Sequence, residues 1–263
     1  MSDRCLGIFD SGLGGLTVLK EILRYNVYDR IVYFGDTGRV PYGTRSKQTI
    51  IKYSMQDVRF LLSKGAGEII VACGTASANA LDELQAGFDV PVTGVIDVSA
   101  RAAVAATRNR RIGVIGTNAT IDSHVYPDRI AKLDPACQVY CQPCPLFVPL
   151  VEYGFAAHPD DTIVSQTVAF YLQDLKTKGI DTLILGCTHY PILKDYIGHF
   201  LGNAVTLVNS GVELAKQAVG PLVARPQVEY YVSDGAASFS RNGSAFMGPD
   251  EDLKAADVDI QRF

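Results

Sequence analysis

Short apolar runs recur along the chain, each closed by small or polar residues and followed by a longer stretch with apolar positions at helical spacing. The runs predict β-strands at Leu6–Phe9, Arg30–Phe34, Glu68–Ala72, Val92–Val95, Arg111–Ile115, Val139–Gln142, Thr182–Leu185 and Val205–Val208. The longer stretches predict helices beginning near Leu13, Ser46, Ala76, Val98, Ile121, Asp160, Ile192 and Gly211. Between 160 and 178, for instance, Ile163, Val164, Thr167, Val168, Phe170, Tyr171 and Leu175 fall on one helical face. Strand and helix alternating from end to end predicts an α/β fold with mostly parallel sheets. No low-complexity or linker-like segment interrupts the alternation, so any domain boundary is compact.

A weak internal repeat sharpens this picture. GIFDSG (7–12) matches IGVIGT (112–117) as an apolar strand ending in small polar residues. EIIVACGTAS (68–77) matches TLILGCTHYP (182–191): apolar β residues, a small residue, Cys, then Thr and a helix start. TGVIDVS (93–99) is loosely echoed by TLVNSGV (206–212). The matches fall in the same order at similar offsets, which predicts two related α/β units, 1–98 completed by 211–263, and 99–210. The last segment then packs back on the first unit.

Composition removes several function classes. The 263 residues are 48% hydrophobic and 20% charged, enough apolar material for a core without staples. Lys plus Arg (24) against Asp plus Glu (28) gives −4, which provides no basic face for nucleic acid and no polybasic membrane anchor. No run approaches the ~18 apolar residues of a membrane span. Asp3, Arg4 and Asp10 around a short apolar run do not make a secretory signal. Six cysteines are too sparse for a disulfide scaffold, and a cytoplasmic, reducing location is expected.

In parallel α/β sheets ligands bind beyond the carboxyl ends of the strands. Four polar clusters fall at such junctions: Asp10-Ser11, Cys73-Gly74-Thr75, Thr117-Asn118 and Cys187-Thr188-His189. Each precedes a helix, whose first amides bind anions and whose dipole favours a thiolate. Two cysteines at equivalent places in two repeated units form a pair that could face each other across a cleft. Three uses stay open: inversion of a carbon centre by a base on one face and an acid on the other, a disulfide redox pair, or two buried structural thiols. The redox use normally shows Cys-x-x-Cys, which neither residue has.

Other motifs fail on inspection. Gly12, Gly14 and Gly15 suggest a dinucleotide loop, but Thr17 stands at the third glycine position. There is no Gly-Lys of a P-loop, no H-E-x-x-H and no G-x-S-x-G. Cys137, Cys141 and Cys144 have zinc-like spacing but no nearby histidine, and no metal is expected.

IFDSGLGGLTVL, GDTGRVPYG, VACGTASA, GVIGTNATI, PLFVPLVE and LGCTHYPIL occur in the order and spacing of the glutamate racemases, within the aspartate/glutamate racemase superfamily. The resemblance runs from Gly7 to about Leu214, and YYVSDGAASF resembles the family's closing segment. It implies two pseudo-symmetric α/β domains with the active site in the cleft between them. It also implies a cofactor-independent isomerase that makes D-glutamate for peptidoglycan synthesis, cell-wall biogenesis and cell shape, as a homodimer. By the same resemblance Cys73 is the base for the D-enantiomer and Cys187 for the L-enantiomer. Asp10 assists the first; His189 and Glu152 assist the second. Ser11, Tyr42, Gly43, Gly74, Thr75, Thr117, Thr120 and Thr188 match substrate-holding positions.

One departure bears on activity. The family usually carries Asn after the first cysteine, where this chain has Gly74. Losing a hydrogen bond to a charged partner costs roughly 1.5–3 kcal/mol, although water could fill the space. This opens two alternatives: a racemase of aspartate or another small amino acid, and a catalytically weak amino-acid-binding relative in which Gly74→Asn would raise turnover. Asp97, where the family more often has Glu, is a minor departure.

Overall fold

The computed structural model describes residues 4–158, 160–248, 251 and 253–263; Asp3 of the charged N-terminal start lies outside them. The strands are β1 (Cys5–Asp10), β2 (Arg30–Gly35), β3 (Glu68–Val71), β4 (Val92–Gly94), β5 (Arg111–Gly116), β6 (Gln138–Pro143), β7 (Thr182–Leu185), β8 (Thr206–Asn209), β9 (Gln227–Val232) and β10 (Ala255–Asp257). The helices are α1 (Leu16–Leu23), α2 (Lys47–Ser63), α3 (Gly74–Gly87), α4 (Val95–Ala106), α5 (Asn118–Asp122), α6 (Val125–Leu133), α7 (Phe147–Glu152), α8 (Thr162–Thr177), α9 (Lys194–Leu201), α10 (Ser210–Ala215), α11 (Ala236–Asn242) and α12 (Ser244–Met247).

Two sheets result, one of six strands in the order β10-β9-β2-β1-β3-β4 and one of four in the order β6-β5-β7-β8. Every pairing in both is parallel. Helices cover the faces of such sheets, which is why the central strands read as unbroken apolar runs. In β1, Leu6 and Ile8 enter one core cluster while Cys5 and Phe9 enter another. In β2, Ile31 and Tyr33 part from Val32 and Phe34 in the same way, as a period of two requires. The cluster holding Leu6 and Ile8 continues into Ile112, Val114 and Ile184 of the second sheet, so the two halves share one core. The α/β class and parallel sheets agree with the sequence pattern.

Several boundaries differ. The helix expected from Ile121 is two helices, α5 and α6, broken where His124 takes a left-handed φ of 57°. The helix expected from Ile192 starts as a 3-10 turn (Tyr190–Leu193) before α9, because Pro191 sits at its start. β9 and β10, not anticipated as strands, extend the first sheet beyond β2. Among the described residues no helix is long and apolar enough to cross a membrane.

Candidate active site

β1 ends at Asp10, β3 two residues before Cys73, β5 just before Thr117 and β7 two residues before Cys187. The turns that follow these strands converge on a cavity of about 380 Å³ bordered by both halves of the molecule. Ser11, Tyr42, Gly43, Cys73, Gly74 and Thr75 line it from the first half. Thr117, Glu152, Cys187, Thr188 and His189 line it from the second. Eleven of the thirteen residues selected from the sequence therefore meet in one place. Asp10 and Thr120 stand directly behind the wall. A larger hollow of about 480 Å³ beside Ala156, Tyr196 and His199 contains none of them.

Cys73 is the N-cap of α3, where its sulfur accepts the Ala76 N–H at 3.5 Å and lies 3.7 Å from Ser11 Oγ. Burial pushes its thiol up to about 12; the charges of Asp10 and Cys187 add to the rise, and the Ala76 and Ser11 contacts oppose it. Asp10 is fully buried. Its Oδ2 accepts the Gly12 N–H at 2.9 Å, and its Oδ1 accepts Thr188 Oγ1 at 3.3 Å from the other half. Burial raises its pKa, with the positive charge of His189 as the main opposing influence.

Cys187 has its own partners. Its Sγ is 3.8 Å from His189 Nδ1, and His189 Nε2 is 2.9 Å from Glu152 Oε1. Burial alone would strip the proton from His189, but the hydrogen bonds to Cys187 and Glu152 outweigh it and raise the imidazole to about 10. At neutral pH the site thus holds a protonated thiol at Cys73 and an imidazolium beside Cys187.

Hydroxyls stitch the halves together along one wall. Thr75 Oγ1 lies 2.9 Å from Thr117 Oγ1, which lies 3.0 Å from Thr120 Oγ1. Among the described residues lining the cavity there is no lysine or arginine. An anionic ligand would be met by neutral hydroxyls, main-chain amides and the positive end of α3.

Two expectations change in detail. Tyr42 borders the cavity, but its hydroxyl bonds to Asp36 and Asp57, so what it offers a ligand is its main chain and ring, not its hydroxyl. At Gly74 the backbone itself is crowded: a Cβ there would stand 2.2 Å from the Gly186 carbonyl oxygen. The missing side chain allows the backbones of the two halves to touch.

Val40, Pro41, Pro145, Val148, Pro149 and Tyr153 form an apolar wall that site selection from the sequence omitted. The clustered prolines of PCPLFVP were the available signal. Cys137, Cys141 and Cys144 do not gather, and no group of three or more potential metal ligands occurs among the described residues.

Residues 31–218 match the family model described as Asp/Glu/Hydantoin racemase. A glutamate racemase of Geobacter metallireducens is 46% identical over 254 residues, 93% of this chain and 93% of that one. The crystal structure of a glutamate racemase isoform of Bacillus anthracis superposes with a TM-score of 0.91 at 36% identity, covering 98% of each chain. That of the Francisella tularensis glutamate racemase in complex with D-glutamate gives 0.89 at 35% identity, covering 100% of each.

Proposed function

The chain belongs to the Asp/Glu/Hydantoin racemase family, and from that membership we propose that it interconverts L- and D-glutamate through Cys73 and Cys187. It is an isomerase, as its glutamate racemase relatives are. The observation that carries the reading is the sharing of one cavity by two cysteines, one from each half: Cys73 beside the Ser11 hydroxyl and in the field of Asp10, and Cys187 beside His189. The halves are assigned as 1–98 with 211–263, and 99–210.

In the L-to-D direction Cys187, as thiolate beside the His189 imidazolium, takes the proton from Cα. The electron pair left on carbon spreads into the α-carboxylate. Cys73, which burial keeps as a thiol, gives its proton to the opposite face. The protein ends with a thiol at Cys187 and a thiolate at Cys73, and it resets by proton exchange through His189–Glu152 and Asp10. Fixed hydroxyls and amides stabilise the charge that develops on the carboxylate without solvent reorganisation, and no cofactor is assigned. The product would supply peptidoglycan synthesis in the cytoplasm.

Incubating enantiopure L-glutamate in D₂O tests the reading. Loss of optical rotation should accompany entry of one deuterium at Cα of the D-product. Exchange with aspartate but not glutamate would replace the substrate assignment, and no exchange with either would remove the activity.

The His189–Glu152 contact gives a pH prediction. Glu152→Gln keeps an oxygen that can accept the His189 Nε2–H but removes the negative charge that helps raise His189, so the imidazole should lose its proton at a pH below about 10. Activity of the variant relative to the parent should fall by roughly 10-fold more at pH 9 than at pH 7, read from pH profiles of kcat. An unchanged alkaline limb would show that Glu152 does not act through His189.

A further inference from the structure

Behind the cavity wall lies a buried charged cluster that the proton transfer does not use. Arg39 reaches it with all three guanidinium nitrogens. Nε donates to Asp36 Oδ2 at 2.6 Å, Nη1 to Gln56 Oε1 at 2.6 Å and Nη2 to Asp57 Oδ1 at 2.7 Å. The Tyr42 hydroxyl bonds to Asp36 Oδ2 and, at 3.0 Å, to Asp57 Oδ2. Asp36 and Asp57 are both fully buried, and Tyr53 stacks on Arg39 with the guanidinium carbon 4.2 Å from the ring centre. Asp10, at the end of β1, adds its field to Asp57.

The hydrogen count decides the protonation. A phenol has one hydrogen, yet the Tyr42 oxygen sits within bonding distance of two carboxyl oxygens. With both acids ionised, one of these contacts would set lone pair against lone pair, and two buried anions would share one cation. Both acids accept from the guanidinium, but Asp36 Oδ2 takes the Nε–H and the Tyr42 contact on one oxygen, which leaves that oxygen no place for a proton directed at Tyr42, whereas Asp57 receives the guanidinium on Oδ1 and meets Tyr42 with Oδ2. Asp57 Oδ2 touches Tyr42 alone, so a proton there is donated to Tyr42, whose own hydrogen goes on to Asp36. Burial and the neighbouring charge of Asp36 act the same way, holding Asp57 well above the usual carboxyl range.

We infer that Asp57 is a protonated acid in the folded chain, and that its proton, relayed through Tyr42 to Asp36, holds the Tyr42–Gly43 turn against the cavity. That turn is where the first half meets the second: a Cβ on Gly43 would stand 2.7 Å from Thr117 Cβ. Asp57 is thus a positioning residue for the cavity wall, and this part of the inference rests on the glutamate reading above. The protonation does not.

An acid whose proton is held more tightly folded than unfolded makes the folded state lose ground as pH rises above the ordinary carboxyl value near ~4. Asparagine has no such proton and fits the same bonds, donating to Tyr42 and accepting from Arg39. The melting temperature of Asp57→Asn minus that of the parent should therefore rise steadily from about pH 4.5 to about pH 8. An ionised, salt-bridged Asp57 gives the opposite slope and overturns the inference, as does failure of Asp57→Asn to fold at neutral pH. In glutamate turnover, the parent's KM should climb at least about 3-fold where Asp57 loses its proton, with kcat steady; Asp57→Asn should flatten that rise. The expected melting slope with a pH-independent parental KM would overturn the positioning role alone. Absence of glutamate turnover in the parent would sink the earlier reading and leave the proton where it is.

Discussion

Replacing either Cys73 or Cys187 by serine is expected to lower interconversion of the glutamate enantiomers by roughly 10³-fold, the range lost when a positioned acid or base is removed. A serine hydroxyl is a far weaker acid than a thiol, so it neither takes the Cα proton nor leaves a usable anion. The two variants should differ in what they retain. With Cys187 intact, Cys73→Ser should still exchange the Cα proton of L-glutamate with solvent, without inversion. With Cys73 intact, Cys187→Ser should do the same for D-glutamate. Proton NMR in D₂O reads exchange and polarimetry reads inversion. Cys137→Ser, at a half-buried position outside the cavity lining, should leave both unchanged. Inversion surviving in either active-site variant would end the two-thiol mechanism.

Gly74→Asn, which restores the residue that the family resemblance leads one to expect, should lower kcat/KM by about 10²-fold rather than raise it. The Cβ would stand 2.2 Å from the Gly186 carbonyl oxygen, and a main-chain atom cannot swing aside as a side-chain tip can. Gly186 is pinned in turn, since its N–H donates to Ile115 O at 2.8 Å. Admitting the side chain would push α3 and the end of β7 apart by most of an ångström, and with them Cys73 and Cys187. Misplacement on the order of 1 Å costs about 10² in rate where two groups must flank one carbon. Gly74→Ala separates bulk from chemistry: it should fall as far as Gly74→Asn. A rise with Asn and a fall with Ala would instead mean that the halves have room to part and that the amide serves the substrate.

The contrast between what the sequence disclosed and what it withheld follows from distance along the chain. Cys73 and Cys187 could be picked out because each ends an apolar run and opens a helix or turn, which is local information. β7 matched its run residue for residue for the same reason. The direction of the Tyr42 hydroxyl depends on Asp36 and Asp57, two acids whose meeting is decided only when α2 packs beside β1 and β2. The constraint on Gly74 depends on Gly186, in the other half. β9 escaped because Gln227 and Glu229 interrupt QVEYYV and leave a run of only three largely apolar residues at its end. The break between α5 and α6 needed a left-handed residue at His124, a conformation that no glycine announces there.

The order of the first sheet bears on how the chain is made. β2 lies between β1 and β9, yet β9 is translated only after the whole second sheet. A growing polypeptide therefore carries the apolar strand Ile31–Gly35 with one flank unpaired until Gln227–Val232 leaves the ribosome. Bare flanks of this kind recruit other strands, and closing so long a loop is slow. The vulnerable moment in the life of this protein is its birth, and the side most exposed to misassociation then is the one that the last-made strands will cover.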